Sequence, residues 1–533
     1  MNRIRLAAAC AVALVSAGMA LAATTYYVAT NGNDNANCGS SASPCRHIQY
    51  AIDKSIDGDT VRVKNGTYNE CFIVPTYLSG VLRVTVEADT FATAGTVGGA
   101  ILDGTGACDA GSATPAPVAV VMYDSVLRGF KIQHGGNSGV LGLGAVAITN
   151  NTITGNASTY GGDPSFSYAG GGIFAYTGIY VTSDDTKLQI KSNTISSNTS
   201  SQSGGGIYVA ANGDGFPSVV EIQNNTLTGN VAGPDPVPGS LGTFGGAIAV
   251  FTDAYTPADS SSVVITNNAI DGNTAHKTAD GYPAYGGGIF VATGAYTGYG
   301  TETVQIGDVG ASNAVRNNRA EGYGGGISAD LQPGIATPGH TMKVVGNSVT
   351  ANSGERGAGG IHGFFLTADP TGGLGTLEIT DNTITGNHAE APAGSGALGG
   401  GGLFGEIYSK KTPAQYIAFK IEGNRIQNND SNSIGGGASL FVYADDNPPL
   451  NQGGNGIKLP AGAQIDFKNN LVAQNTAVNN APDPGPVRIP SVGGGVWAAG
   501  RAFGDQAFAG IDLEFLTVAG NHVDAGAAGG IEL

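Results

Sequence analysis

The sequence predicts an all-β solenoid, in which short strands wind into the stacked coils of a parallel β-helix. Three observations support this prediction: a repeated asparagine phrase, a repeated glycine phrase that follows it, and a stretch of alternating apolar and polar residues between the two. Units of roughly 20–50 residues that recur along a chain are typical of solenoids, because each unit buries its apolar face only by stacking on its neighbours.

The asparagine phrase is Asn-x-(Ile/Leu/Val)-x-x-Asn, and its copies begin 32 to 46 residues apart. Nine copies begin at Asn151, Asn193, Asn225, Asn268, Asn313, Asn347, Asn382, Asn424 and Asn470. A tenth, degraded copy runs from Leu516 to Asn521. Equivalent positions of stacked coils lie above one another, so these amides can donate and accept along the rod axis. We interpret the nine asparagines as a structural ladder rather than as sugar ligands, metal ligands or glycan acceptors.

The glycine phrase is Gly-Gly-Gly-Ile or a close variant. It starts at residues 170, 204, 245, 286, 324, 358, 400, 435, 493 and 528. Glycine suits a corner where neighbouring coils approach closely and where φ is positive. These runs are not phosphate-binding loops, because neither a Lys-Ser/Thr pair nor a helical pattern follows them.

The alternating stretch is exemplified by LQIK (residues 188–191) and VEIQ (residues 220–223). A period of two residues indicates a strand with one buried face. Each repeat therefore predicts three short strands, one from each signal, and three strands per turn give a triangular coil. Ten coils at a strand spacing of about 4.8 Å make a rod of roughly 48 Å.

The first residues have the pattern of a secretory signal. Arg3 and Arg5 form a basic start, an apolar stretch follows to residue 21, and Ala20-Leu21-Ala22 offers a cleavage site between small residues. We therefore predict a signal peptide over residues 1–22, an N-terminal cap and first coil over 23–70, further first coils over 71–149, and the repeated coils over 150–533. No later segment is apolar enough to cross a bilayer as a helix.

Four cysteines remain after signal removal: Cys38, Cys45, Cys71 and Cys108. Four cysteines in a secreted chain indicate two disulfides, with three connectivities to choose from. We favour Cys38–Cys45 and Cys71–Cys108. Metal binding is the weaker alternative, because the chain has no Cys-x-x-Cys pair.

The charge balance is strongly acidic, with 24 Lys and Arg against 41 Asp and Glu, a net charge of −17. Removal of Arg3 and Arg5 with the signal leaves 22 basic and 41 acidic residues, a net charge of −19. This balance disfavours nucleic acid and anionic membranes as partners. It also disfavours polyanionic substrates unless Ca²⁺ bridges the like charges. We expect no cofactor, with calcium at acidic, glycine-rich turns such as residues 31–34 as the open alternative.

The residue after each glycine phrase breaks the uniformity of the repeat. In chain order these residues are Phe174, Tyr208, Ala249, Phe290, Ser328, His362, Phe404, Ser439 and Trp497. If the Ile position points inward, its neighbour points outward, which predicts an exposed, discontinuous aromatic column. Because aromatic rings stack on sugar rings, the candidate glycan-binding residues are Phe174, Tyr208, Phe290, His362, Phe404 and Trp497. The alternative is that adjacent loops cover these rings and that they only pack.

A resemblance to a known group rests on YYVATNGNDNANCGSSASPCRHIQYAIDKSIDGDTVRVKNGTYNE (residues 26–70), AILDGTG (100–106) and SVLRGFKIQ (125–133). The first segment resembles the N-terminal cap of secreted bacterial right-handed parallel β-helix proteins, such as pectate-lyase-like proteins and chlamydial polymorphic outer-membrane proteins. The resemblance implies a single-stranded right-handed coil, a capping helix from His47 to Ser55, and a secreted or cell-surface bacterial protein. This fold carries lyases, hydrolases, epimerases and adhesins alike.

Three functional hypotheses follow from these patterns. The leading one is a non-catalytic surface protein that binds a polysaccharide or cell-surface glycan through loop ridges and the aromatic column. The second is a polysaccharide lyase or glycoside hydrolase, although only the Asp184-Asp185 and Asp445-Asp446 pairs match any element of the polygalacturonase-like series. The third is a structural, self-associating protein, because the chain ends inside a glycine phrase. Carboxylates clustered beside the aromatic column would favour the second hypothesis.

Overall fold

The computed structural model describes residues 23–74, 83–108, 115–158, 170–178, 187–213, 217–233, 242–254, 259–294, 300–332, 339–367, 375–390, 399–409, 418–432, 434–445, 462–478, 491–503, 508–523, 526–527 and 529–533. Their strands pair in parallel with the equivalent strands of the coils before and after. Three long sheets follow from the three sequence signals, and we name each sheet after its signal.

The alternating sheet has 14 strands among the described residues. They are Thr25–Val28, Thr60–Val63, Thr85–Ala88, Val126–Arg128, Ala147–Thr149, Lys187–Lys191, Ser218–Gln223, Ser260–Thr266, Thr301–Ile306, His340–Val345, Gly375–Thr380, Ala418–Glu422, Gly462–Lys468 and Phe508–Glu514.

The glycine sheet has 13 strands in the part of the chain that the structure describes. They are Phe72–Val74, Ala119–Met122, Val140–Leu143, Ile173–Tyr176, Ile207–Gly213, Ile248–Ala254, Ile289–Thr293, Ile327–Leu331, Ile361–Thr367, Leu403–Ser409, Ala438–Asp445, Val496–Phe503 and Ile531–Glu532.

Within the described ranges, the asparagine sheet also has 13 strands. They are Gly66–Tyr68, Ala100–Asp103, Lys131–Gln133, Thr152–Thr154, Thr194–Ser196, Thr226–Thr228, Ala269–Asp271, Ala314–Arg316, Ser348–Thr350, Thr383–Thr385, Arg425–Gln427, Leu471–Ala473 and Thr517–Ala519.

A fourth sheet of two-residue strands was not predicted. Its strands are Ala157–Ser158, Thr199–Ser200, Val231–Ala232, Thr274–Ala275, Arg319–Ala320, Ser353–Gly354, His388–Ala389, Asp430–Ser431, Thr476–Ala477 and His522–Val523. Each strand follows the second asparagine of the phrase, whose carbonyl accepts from the next coil, as in the 2.9 Å bond from the Val231 amide to Asn198. The backbone therefore stays in register for two more residues before the glycine turn.

Two smaller parallel sheets complete the strands of the described residues. We name the sheet of Thr243–Phe244, Ala284–Tyr285 and Gly322–Tyr323 the cover sheet. The other pairs Ser491–Val492 with Gly526–Ala527.

The asparagines form a continuous hydrogen-bonded ladder. The nine first asparagines of the phrase are at most 2 % exposed. Asn225 is representative: its Nδ2 and its backbone N donate to Oδ1 of Asn268 at 3.0 and 2.9 Å, and its Nδ2 donates to the Ile190 carbonyl at 2.8 Å. The second asparagines form a parallel ladder, as in the 2.9 Å bond from Asn230 Nδ2 to Asn273 Oδ1. These bonds satisfy amides that would otherwise be buried without partners.

The glycine phrase is required by close backbone contact. Gly204 has a φ of 62°, and a Cβ on Gly205 would lie 2.5 Å from the carbonyl oxygen of Gly246 in the next coil. The isoleucine that follows points into the rod: Ile207 and Ile248 are fully buried and form part of one continuous apolar core.

The N-terminal end is closed by a short helix, Ile48–Lys54, which buries Ile48, Ala51 and Ile52 against the first strands. The predicted right-handed parallel β-helix with an N-terminal capping helix is thereby confirmed, since parallel strands joined by crossovers connect with a right hand. A second helix, Asp89–Ala94, follows the third strand of the alternating sheet.

Both predicted disulfides are present, and they bridge Cys38 to Cys45 and Cys71 to Cys108. Disulfides fit an oxidising compartment outside the cytosol. The predicted signal peptide lies outside the described residues. Neither helix among the described residues is long and apolar enough to span a bilayer.

Candidate functional site

The outward face of the glycine sheet carries two adjacent columns of side chains. Parallel in-register pairing places the residues after the glycine phrases in the first column, from Phe174 to Trp497. The second column lies two residues further along each strand. It consists of Tyr176, Ala210, Phe251, Ala292, Asp330, Phe364, Glu406, Phe441 and Ala499.

The aromatic column is buried in its middle and half-buried at its ends, whereas the sequence predicted exposure throughout. Phe290, His362 and Phe404 are 1–2 % exposed. Phe174, Tyr208 and Trp497 are half-buried.

The cover sheet is the physical reason for this burial. The Phe244 ring lies 4.6 Å from the Phe290 ring, and the Tyr323 ring lies 5.1 Å from the His362 imidazole. Its strands come from connections after the second asparagine, which have no alternating pattern of their own. In the middle of the column, adjacent segments therefore cover the rings, as the alternative interpretation of the sequence predicted.

A polar cluster interrupts both columns near the cover sheet. We name it the acid–base cluster; it consists of Ser328, Asp330, His362 and Glu406. Ser328 Oγ donates to Asp330 Oδ1 at 3.0 Å and lies 3.0 Å from His362 Nδ1. His362 Nε2 lies 3.2 Å from Glu406 Oε1. The two carboxyl groups are thus joined through a hydroxyl and an imidazole.

Aromatic rings hold the imidazole in place. The His362 ring stacks between Tyr323 at 5.1 Å and Phe404 at 5.4 Å, with interplanar angles of 28° and 25°. The Ser328 and His362 side chains are sealed from solvent, whereas the Glu406 side chain retains 13 % of its exposure. Glu406 is therefore the member of the cluster most open to a ligand.

Burial controls the protonation of Asp330. Loss of hydration raises the pKa of this carboxyl to about 6, because burial penalises the charged form; the His362 charge and the Ser328 hydrogen bond oppose this shift, and Glu406 adds to it. Burial also raises the pKa of Tyr285 and Tyr323, with nearby carboxylates acting in the same direction. Both phenols therefore stay protonated at neutral pH, and Asp330 can hold a proton in mildly acidic solution.

The backbone sets the distance between the two acids. Asp330 pairs with Phe364, which pairs with Glu406 on the following strand. Two strand spacings correspond to roughly 9.6 Å between the two backbone positions. The pair therefore combines a carboxyl group of raised pKa with a second, more accessible carboxyl group, which is the composition of a general acid and a general base.

Ser328 is not placed to act as a nucleophile, because a substrate cannot reach its hydroxyl. Ser328 is fully buried and its hydroxyl donates to Asp330. A nucleophile must reach the substrate with a base as its proton acceptor. Ser328 therefore connects other groups and does not attack a substrate.

The sequence did not identify Asp330 or Glu406. Both stand in the second outward column, at positions that hold apolar residues in most other coils, so an acidic residue there was the available signal. Of the acidic pairs considered from the sequence, Asp184, Asp185 and Asp446 lie outside the described residues.

A second histidine–carboxylate pair lies inside the rod. Glu302 and His340 are both fully buried, with Glu302 Oε2 3.3 Å from His340 Nδ1. Thr252 Oγ1 and the Gly294 amide donate to the same carboxylate oxygen at 2.6 and 2.7 Å. This inner pair has no access for a substrate.

Potential metal ligands do not form a convincing site. Among the described residues, the one group of three close potential ligands is Asp34, Cys38 and Cys45. The two cysteines form a disulfide, so they do not bind metal as thiolates.

Comparisons with known proteins assign no activity. No protein-family model and no curated protein matches the chain. Among solved structures, a mutant of the periplasmic alginate epimerase AlgG is 10 % identical, with a TM-score of 0.35 over 86 % of this chain and 76 % of that one. XylC in complex with xylose is 11 % identical, with a TM-score of 0.33 over 84 % and 75 %.

A third solved structure is a GH136 lacto-N-biosidase from Eubacterium ramulus. It is 11 % identical, with a TM-score of 0.27 over 92 % of this chain and 68 % of that one. Likeness at this level does not support a shared activity. The chain is a parallel β-helix by its own strand pairing, and membership of the pectate-lyase-like group stays a prediction.

Proposed function

We propose that this chain is a secreted enzyme that hydrolyses glycosidic bonds of a neutral polysaccharide, with Asp330 as general acid and Glu406 as general base. The observation that carries the proposal is the acid–base cluster on the outward face of the glycine sheet. Carboxylates beside the aromatic column favour an enzyme over a protein that only binds glycans through this face.

The environment of Asp330 supports its role as the acid. A general acid must hold its proton near the working pH, and burial is a common means of achieving this for a carboxyl group. Asp330 is 7 % exposed, and its pKa is raised to about 6 by that burial. Glu406 is more accessible and is suited to activating a water molecule.

The separation of the acids supports hydrolysis with inversion. Inverting glycosidases place their two carboxyl groups about 6.5–9.5 Å apart, so that a water fits between base and sugar. The backbone positions of Asp330 and Glu406, two strands apart, lie roughly 9.6 Å from each other, which is nearer to the separation in inverting enzymes than to the roughly 5–5.5 Å of retaining ones.

The surroundings of the acids support a sugar ligand. Phe364, Tyr408 and Tyr443 are half-buried rings in a row beside Glu406, with centroid distances of 5.9 and 5.3 Å. Such rings offer apolar faces to sugars. The net charge of −17 disfavours a polyanionic chain and favours a neutral one.

Binding without cleavage is the second candidate. It is favoured by the half-buried Phe174 and Tyr208 rings, which lie 5.3 Å apart and stand four and three strands before the strand of Asp330. A protein of this kind would bind the same glycans and release no product.

The test is product release from a panel of neutral and uronate-containing polysaccharides. We expect new reducing ends from a neutral polymer, and loss of release in Asp330→Asn and Glu406→Gln. The matched control is Glu378→Gln, which changes a carboxylate on the solvated outer face of the alternating sheet.

Three outcomes would contradict the hydrolase. Unsaturated products from a uronate polymer would identify a lyase. Binding to the panel without release would favour the second candidate. Full activity in either cluster variant would remove the assigned roles of Asp330 and Glu406.

A further inference from the structure

We propose that Arg501 forms a subsite beside the acid–base cluster that binds an anionic group, a carboxylate or a sulfate ester, carried by an otherwise neutral polysaccharide. This inference rests on the proposed function and narrows its substrate class. It concerns the outward face of the glycine sheet on the C-terminal side of Glu406.

Strand register places Arg501 at the end of a row that begins beside the proposed base. Tyr408 stands two residues after Glu406 on the same strand. Tyr408 pairs with Tyr443, and Tyr443 pairs with Arg501. Alternate residues of a strand point to the same face, so this row shares the outward face with Glu406. The row spans two strand spacings, roughly 9.6 Å along the rod.

Arg501 is the one Lys or Arg in the described strands of the glycine sheet, and it is exposed. Its guanidinium carbon lies 5.9 Å from the centroid of the Phe441 ring, within the range of a cation–π contact. That contact uses none of the guanidinium N–H donors. Among the described side chains, no carboxylate forms an ion pair with Arg501. The ring therefore positions the charge, and the oxygens of an anionic ligand can accept from the N–H donors.

Two phenols continue the row of donors from Arg501 towards the base. The Tyr408 and Tyr443 rings are half-buried, and their centroids lie 5.3 Å apart. Burial raises the pKa of Tyr408, the Glu406 charge adds to this shift, and the Arg501 charge opposes it. Tyr408 therefore stays protonated at neutral pH and can donate to a sugar oxygen. A guanidinium and hydroxyls in one row suit an anionic group together with the sugar that carries it.

The charge of the chain explains why the substrate is neutral apart from this group. A guanidinium presents a planar fork of donors that matches a pair of oxygens on a carboxylate or a similar oxyanion. The chain as a whole has a net charge of −17, and the carboxyl groups of Asp330 and Glu406 belong to the same face. A polyanionic chain would be repelled along the rod, whereas an isolated anionic group meets Arg501 at one point. The fitting substrate is a neutral main chain with sparse acidic substituents.

Binding of three monosaccharides tests the subsite separately from catalysis. D-glucose, D-glucuronate and glucose 6-sulfate share one pyranose ring and differ in the group at carbon 6, which is a hydroxymethyl, a carboxylate or a sulfate ester. Ligand-observed NMR titrations measure their affinities for the wild type. We expect an anionic sugar to bind about tenfold more tightly than glucose, because hydrogen bonds to charged groups are the stronger ones. Added salt should reduce this preference.

Variants of Arg501 separate the charge from the fork. Arg501→Gln removes the charge and should abolish the preference for an anionic sugar. Arg501→Lys keeps a point charge without the planar fork and should retain part of the preference. The matched control is Arg425→Gln, which removes an exposed arginine from the outward face of the asparagine sheet and should leave the preference unchanged. Melting curves of the variants check that they fold.

The two anionic sugars distinguish the two sources of the ligand. Tighter binding of glucuronate would identify a carboxylated sugar, and tighter binding of glucose 6-sulfate would identify a sulfated one. Equal binding of all three sugars, or no measurable binding of either anion, would overturn the subsite. The same preference in Arg501→Gln as in the wild type would overturn it as well. Loss of the preference in Arg425→Gln would overturn it too, because net charge alone would then explain the binding.

Product release separates this inference from the proposed function. The substrate is a neutral polysaccharide with glucuronate branches, compared with the same polymer after enzymatic removal of the branches. We expect release from the branched polymer to be about tenfold faster, and Arg501→Gln to remove this difference. If the wild type releases no product from either polymer but binds an anionic sugar through Arg501, the hydrolase is wrong and the subsite stands. If it releases product equally from both and shows no preference for an anionic sugar, the subsite is wrong and the hydrolase stands.

Discussion

Two histidine–glutamate pairs occupy neighbouring coils, one on the outer face of the rod and one inside it. The outer pair, His362 and Glu406, continues through Ser328 to a second carboxyl and keeps partial access to solvent. The inner pair, His340 and Glu302, is fully buried, and in the described residues the Glu302 Oε1 atom and both His340 nitrogens make no hydrogen bond. Identical side chains therefore differ in their access to solvent according to whether they face out of the rod or into it.

The largest expected effect concerns the outer pair. Glu406→Gln removes the proposed base while it keeps the shape of the side chain, and we expect product release to fall on the order of 10³-fold, about 4 kcal/mol. Thermal stability should change little. Initial rates and a melting curve of the same preparation measure both, and a large loss of stability would show that the outer pair is not distinct from the inner one.

The next effect concerns the inner pair. Glu302→Ala leaves Thr252 Oγ1 and the Gly294 amide without their shared acceptor, and it removes the carboxylate that lies 3.3 Å from Nδ1 of the buried His340. We expect a loss of about 3 kcal/mol in the free energy of unfolding, because removing one member of a buried pair leaves its polar partners buried and unpaired. Urea denaturation measures it. A loss below about 1 kcal/mol would indicate that a water molecule replaces the carboxylate as hydrogen-bond acceptor.

A smaller effect, expected for Asp330→Asn, is a gain in stability rather than a loss. Folded Asp330 holds its proton to higher pH than the unfolded chain does, since its pKa is raised from 3.8 to about 6. Its contribution to stability is fully present below pH 4 and is lost as pH rises towards 6. Asp330→Asn should therefore stabilise the protein at pH 7 by about 1–3 kcal/mol and flatten the pH dependence between pH 4 and 6. Melting curves at a series of pH values test this, and destabilisation at pH 7 would contradict it.

The smallest effect is expected for Glu378, a surface carboxylate with which the carboxylates of both pairs can be compared. Glu378 forms ion pairs with Lys343 and Lys420, whose side chains are each 45 % exposed. We expect Glu378→Ala to change the unfolding free energy by less than about 1 kcal/mol, because water screens surface pairs. A change as large as that of Glu302→Ala in the same urea series would remove the contrast between a partly exposed carboxylate on the surface and a buried one.

The sequence was sufficient to predict the scaffold because scaffold positions repeat. Asn225 and Asn268 occur at fixed spacing and bond to each other, and Gly205 occurs where no Cβ fits. The capping helix and both disulfides were predicted from the N-terminal segment alone.

The site could not be predicted in the same way, since it consists of departures from the repeat. Asp330 and Glu406 are 76 residues apart and meet only through the strand register. The burial of Phe290 depends on the cover sheet, whose two-residue strands are too short to show a period of two. Periodicity identifies what every coil shares, and it does not report which coil differs.

The asparagine ladders align side-chain amide dipoles along the axis of the rod. Each Nδ2 donates to the Oδ1 of the asparagine in the next coil, from Asn151 to Asn193 and onward to Asn424 and Asn470. The amide dipoles are thus aligned head to tail, and each donor polarises the next acceptor. Each ladder is therefore a cooperative chain of hydrogen bonds rather than a set of separate bonds, and loss of one asparagine weakens the hydrogen bonds of the coils on both sides of it.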